Sequence, residues 1–399
     1  MITCMDGTAI TTNLAILEPG DPGWDSARRA FDLAVDQRPA AVAIPTDTHG
    51  VVAAVHEARR RGLRVVAQCS GHGASRLGPL ADALLLRTTE LVGVEIDVRA
   101  HRARIRAGAR WADVCDRASF LGLAPAAGFD RGASVVGTVL GDGMGWLARR
   151  HGLAGVGVTA VELVTPDGEL ERVGDDDEAE LLRALRGGGV ITDLELRLHP
   201  AEDLYAGALF FSFDRAAEVL HAWREWTETA PPEVTSVGRL MQFGTGHDVA
   251  ELVRGRSFVL IEAAFLGSEN DGAELLHPLR ALRPELDTFT MVPPSALGHL
   301  HMEPEHPVAR LGDDGLVGAL PAEAIDDLVA VAGPGSGSPL ATVELRHACG
   351  ALETLERGFF THAAGMPVDA ASAAAIEAQL ALIAGALAPY GAFPAHLGG

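Results

Sequence analysis

"LRVVAQCSGHGAS", residues 63–75, runs from an apolar, β-branched stretch into a loop where a histidine stands between two glycines. The first five residues have the composition of a buried strand. Glycines just past such a strand let backbone N–H groups come close to a ligand, and a concavity of that kind suits phosphate. Ser70 and Ser75 add two hydroxyls to the loop. On the residues alone, His72 is a loop residue, a metal ligand or a reactive group.

The neighbouring sequence alternates strand and helix. "AAVAIP" (40–45) is a short apolar run. Thr46 or Asp47 can cap a helix that carries Val51, Val52, Val55 and Ala58 on one face and stops at Gly62. "ADALLLRT" (81–88) and "VEIDVRAHRARIRAGA" (94–109) read as strands. In the second, Ala103, Ile105 and Ala107 alternate with arginines, which predicts one face in solvent. "ADVCDRASFLGL" (112–123) is a helix, and "VTAVELVTPDGELERV" (158–173) is a hairpin turning at Pro166-Asp167-Gly168. The glycines of "GASVVGTVLGDGMGWLARRHGLAG" (132–155) alternate at 141, 143 and 145. They do not fit GxGxxG and fall well after the first strand–helix unit, which argues against a nicotinamide dinucleotide fold. Beyond Pro200, strands ("GALFFSF", "SFVLIEAAFL", "TVELRH") alternate with helices ("RAAEVLHAWREWTE", "GAELLHPLRALRP"), and an alanine-rich helix spans about 369–387.

At 399 residues the chain is long enough for two domains. Its 32 basic and 54 acidic residues give a net charge of −22, which disfavours nucleic acid and anionic membranes as partners. Cys4, Cys69, Cys115 and Cys349 are scattered without a CxxC pair, so reduced cytoplasmic thiols are expected. "MITCMDGTAITTN" has no signal-peptide pattern, and no apolar run approaches the ~20 residues of a membrane span. His299, His301 and His306 in "GHLHMEPEH" match no standard metal spacing, and a mobile polar loop is expected there.

Four segments in order, "PGDPGWDSARRAFDLAVDQRPAAVAIP" (19–45), "VVAQCSGHGAS" (65–75), "SVVGTVLGDGMGWLARRHGLA" (134–154) and "ALRGGGVITDLELRLHP" (184–200), resemble flavin-dependent oxidoreductases of the vanillyl-alcohol-oxidase type. The branch they resemble is the berberine-bridge-enzyme-like one, and "VELRHACGAL" (343–352) is similar to its substrate-domain strand. The resemblance implies an α+β protein. A two-subdomain PCMH-type FAD-binding domain would occupy 1–200. A substrate domain with an antiparallel sheet covered by helices would occupy 201–350, and a segment 351–399 would return to the FAD domain.

It also implies FAD linked covalently through His72. Gln68, Cys69, Ser70, Gly71, Gly73, Ala74 and Ser75 would form its loop, and Gly137 and Gly141 would pass beneath the cofactor. Ala133 would govern oxygen access, and Val190 would sit at a flavin-touching turn. Asp130 stands where some relatives carry a second flavin-linking cysteine, so one covalent link is the expectation. Asp142 replaces a family glycine and is expected to point outward. The turn "RGGGVIT" is shorter than the family's, and the chain stops short of the family's usual closing segment.

The implied reaction is removal of a hydride from a small-molecule substrate, a secondary metabolite, with O2 as acceptor. Relatives carry a base in a Tyr-x-Asn-aromatic motif; here Tyr390 opens "YGAF", which lacks the Asn. Glu344 shares a strand face with Arg346 and is either a base or half of an internal ion pair. A redox-neutral cyclase or a ligand-sequestering resistance protein on the same scaffold is the competing expectation.

Overall fold

The computed structural model describes residues 2–3, 9–10, 14–174, 178–247, 249–350 and 358–394. Strands Ala41–Ile44, Ala83–Arg87 and Arg64–Gln68 lie parallel in a four-stranded sheet, with Ala15–Leu17 antiparallel at the edge. The helix Thr48–Arg61 makes the crossover. Asp47 caps it by accepting from the Gly50 N–H, and Gly62 ends it at φ +67°. Of the predicted face, Val51, Val55 and Ala58 are buried and Val52 is partly buried, and Ala54 joins them in the core.

A second, antiparallel sheet orders Leu170–Gly174, Val158–Val164, Val190–Arg197, Arg102–Arg106 and Val94–Asp97. Ala103 and Ile105 are fully buried on one face, with the arginines on the other, and the predicted hairpin turns with Gly168 at φ +90°. These two sheets build the N-terminal half.

From Leu204 onward the chain forms one antiparallel sheet. Its order is Leu286–Asp287, Leu204–Ser212, Ser257–Phe265, Val234–Gln242, Thr342–His347, Phe359–Gly365, Leu311–Val317 and Phe393–Pro394, with Thr290–Val292 also paired to Leu204–Ser212. Helices Ala216–Thr227, Ala322–Ala332 and Ala370–Leu387 cover one face, burying Trp223, Phe211, Leu209 and Ile261. For its described residues, 358–394, this corrects the expected return of 351–399 to the FAD domain. Phe359–Gly365 is an interior strand of the second sheet, hydrogen-bonded on both sides, so leaving would strand its ladder groups. Ala370–Leu387 buries Ile376, Ile383 and Leu387 on that sheet, and the stretch Ala370–Tyr390 is long and apolar enough to cross a membrane by length and composition, which corrects the expectation that no apolar run approaches that length.

The period of two along these strands decides what the opposite face carries. Arg239, Glu344, His362 and Asp314 stand directly opposite one another on four consecutive strands. Together with Glu262 and Arg346 they form a charged face, and it is turned toward the N-terminal half.

Candidate active site

The loop after Arg64–Gln68 is shaped by Gly71. Its φ is +86°, and a Cβ there would lie 2.9 Å from the Ala30 Cα, so only glycine fits. The turn brings His72 flat against Phe31, with ring centroids 3.7 Å apart. His72 Nδ1 is 2.8 Å from Ser70 Oγ, and that hydroxyl also accepts from the Ser134 N–H. Nε2 lies 3.0 Å from Asp130 Oδ2, and this buried nitrogen has no aligned hydrogen bond among the described residues. Despite its burial, the Asp130 carboxyl is held below its ordinary value by His72.

Three successive amides, those of Gly71, His72 and Gly73, have no acceptor among the described residues. Adjacent free N–H groups of this kind attract an anion. A Cβ at Gly73 would meet nothing within 4 Å, so the loop borders open space. Amides without acceptors, a buried imidazole nitrogen without an aligned hydrogen bond and that space fit a phosphate-bearing cofactor with a planar group next to His72.

His72, Gly73, Ser75 and Arg76 line one wall of a cleft, continued by Phe129, Asp130, the small buried Ala133 and Thr138. The facing wall is the charged sheet face: Arg346, His362 and Asp314, joined by Arg310 and Glu303 from the connecting segment. Arg76 reaches across to Asp314 at 2.8 Å and ties the walls together.

Within the sheet the charges are tightly compensated. Buried His301 bridges Glu262 (Nδ1, 2.8 Å) and Glu344 (Nε2, 3.0 Å). Burial by itself would lower the His301 pKa, but the Glu344 and Glu262 carboxylates push it up to about 9. Arg239 donates to Thr342 Oγ1 and to the His301 carbonyl, both at 2.7 Å. The expected mobile polar loop at 299–306 is therefore anchored at His301, which has no exposed surface and stacks on Phe129.

Glu344 is an internal ion-pair member. Its oxygens accept from Arg346 at 2.8 Å, His301 and Thr342. Against the effect of burial, His301, Arg346 and Arg239 hold its carboxyl well below the ordinary value. A fully buried, saturated and strongly acidic carboxyl is a poor proton acceptor, which corrects the base reading.

Tyr390 is also corrected. Its hydroxyl donates to Asp327 at 2.5 Å on the helix-covered side of the sheet, and this bond pushes its pKa up to about 12. The Ala370–Leu387 helix carries it there, so it does not line the cleft.

The remaining expected cofactor residues divide by position. Gln68, Cys69 and Ala74 are buried under the loop; Gln68 Oε1 accepts from Arg87, and Cys69 Sγ lies 3.4 Å from the Gly108 carbonyl. Gly137 sits in the first turn of helix Val135–Leu140, its N–H held by Ser134, and Gly141 ends that helix. Val190 belongs to the core under Thr48–Arg61 and not to the cleft. Asp142 is exposed at φ +50°. Sequence reasoning missed Asp314, Arg310 and His362, which come together only through strand register. The one available signal was the alternation in "FFTHAAG".

Residues 39–174 match the family described as FAD binding domain. The glucooligosaccharide oxidase of Sarocladium strictum is 30% identical over 236 residues, 55% of this chain and 46% of that protein. The chain spans about half the length of the curated relatives it matches. The fold is that of the 6-hydroxy-D-nicotine oxidase of Arthrobacter nicotinovorans, with a TM-score of 0.79 at 21% identity, covering 96% of this chain and 87% of that one. It is likewise that of the berberine bridge enzyme of Eschscholzia californica, with a TM-score of 0.74 at 16% identity over 95% and 82% of the two chains.

Proposed function

We propose that the protein is an FAD-dependent oxidase of a small-molecule substrate with O2 as electron acceptor, a reading supported by the match of residues 39–174 to the FAD binding domain family. The observation that carries the proposal is the cleft. One wall offers the amides of Gly71–Gly73, which have no acceptor among the described residues, and a His72 nitrogen without an aligned hydrogen bond, and the other offers hydrogen-bonding groups of fixed geometry.

The amides would hold the pyrophosphate, and His72 would form a single covalent link to the flavin. Bound FAD supplies a two-electron acceptor for a hydride. Ser70 holds His72 Nδ1 and the Phe31 ring packs flat against the imidazole, which together fix its orientation. Arg346, clamped by Glu344, presents a guanidinium of fixed direction to the substrate. The substrate belongs to the proposal as a hydroxylated or aminated small molecule, secondary metabolites included. So does a cytoplasmic place, supported by the scattered free thiols.

Anaerobic mixing tests this reading. A glucose oligomer, a chitin oligomer and 6-hydroxynicotine, chosen from the relatives' names, are each added to the flavin-loaded protein. Loss of the visible flavin band with one of them, and hydrogen peroxide on readmitting air, is the expected result. Bound flavin that none of a broadened alcohol and amine panel reduces would favour the redox-neutral scaffold.

A further inference from the structure

His362 is a cleft residue that the fold holds in a defined tautomer. Its Nδ1 is 2.7 Å from Asp314 Oδ1, directly across the strand pair, and a carboxylate there fixes the proton on Nδ1. Nε2 then carries the lone pair, and Arg310 donates to it from the cleft side. Arg310 is a third exposed and also approaches Glu303 at 3.9 Å, so it can turn to that carboxylate and free Nε2.

We propose that His362, oriented by Asp314, is the general base that takes the hydroxyl proton of the substrate, with Arg310 guarding the base until substrate replaces it. The inference rests on the oxidase reading and names its substrate class as an alcohol bearing hydrogen on the hydroxylated carbon. The substrate O–H bond breaks and its proton goes to Nε2. The O–H electron pair becomes the second bond of the new carbonyl, and the C–H pair departs as the hydride that FAD accepts.

The surroundings keep this imidazole neutral. Burial and then Arg310 push its pKa below the ordinary histidine value, against the pull of Asp314 and Glu344. His362 above all, and then Arg346 and Arg76, hold the Asp314 carboxyl below its own ordinary value despite burial, so Asp314 stays charged as the orienting group. A base that is neutral at pH 7 and backed by a carboxylate meets the requirements of proton abstraction.

The test has a spectroscopic arm and a kinetic arm, both on the FAD-loaded protein. With histidine labelled in 15N, and His362→Gln used to assign the signal, the imidazole should be the Nδ1–H tautomer with a midpoint below 6.5. Arg310→Gln should raise that midpoint, and Asp314→Asn should lower it. A Nε2–H tautomer, or a midpoint that neither variant moves, would overturn the assignment.

In anaerobic flavin reduction by the alcohol that reduces the wild type, His362→Gln should fall about 10²-fold or more with flavin content unchanged. The acid limb of kcat/KM should move upward in Arg310→Gln. A His362→Gln rate within a few fold of wild type would remove His362 as the base and leave the oxidase reading standing. A wild type reduced by an amine but by no alcohol would overturn the base assignment and leave the oxidase reading standing, whereas one that neither class reduces would mean that the oxidase reading has failed, and the assignment with it.

Discussion

His301 shows how a single side chain can be invisible in sequence and central in structure. Its two carboxylate partners lie 39 and 43 residues away, on strands that only the sheet register brings together. "GHLHMEPEH" therefore gives no hint that its middle histidine is fully buried. Glu344 was legible as a charge on the cleft-facing side of "TVELRH", but its choice between base and ion pair needed the partners. The network also has a pH signature. The folded pKa of His301, about 9, lies above the 6.5 of an ordinary histidine. Its contribution is therefore fully present below pH 6.5 and lost as pH rises through about 9. Urea midpoints should fall across that window in the wild type and vary much less in His301→Gln. That variant should itself be less stable by about 3 kcal/mol at pH 6.5, because two buried carboxylates lose their bridge.

At the scale of elements, local pattern was a good guide wherever local chemistry sets the boundary. The Thr48–Arg61 helix has its cap and stop written at Asp47 and Gly62, and the 158–174 hairpin has its turn written at 166–168. The strand Phe359–Gly365 was missed because its meaning lies in its neighbours: nothing in "FFTHAAG" says that it sits between Thr342–His347 and Leu311–Val317. The loop at 69–75 lies between these cases. Its glycines announce a special backbone, and the structure shows which one is indispensable. Gly71→Ala would place a Cβ 2.9 Å from the Ala30 backbone at φ +86°. Strain of about 1–3 kcal/mol is expected, with His72 displaced from Phe31. Thermal unfolding and flavin retention of the variant measure both effects, whereas Gly73→Ala, which meets nothing within 4 Å, should unfold like the wild type.

Across the whole molecule, the two halves are joined by charge as much as by apolar packing. Arg149, from the glycine-rich passage, donates to the carbonyls of Ala230, Pro231, Val234 and Cys349 in the second half. Arg76 reaches Asp314 across the cleft. The chain passes from one set of sheets to the other near residue 200, where the sequence pattern also changes. The closure of the second sheet by the C-terminal stretch was not, because long-range pairing leaves little trace in composition. What this assembly achieves is a histidine and three free amides facing a rigid, charge-compensated wall, and the account stands on that loop holding FAD. The direct measurement is acid precipitation of the purified, FAD-loaded protein, followed by the visible flavin band in pellet and supernatant. The account predicts a yellow pellet in the wild type and a colourless one in His72→Ala. Flavin released to the supernatant by the wild type would contradict the covalent link, and no flavin in either fraction after reconstitution would contradict the account as a whole.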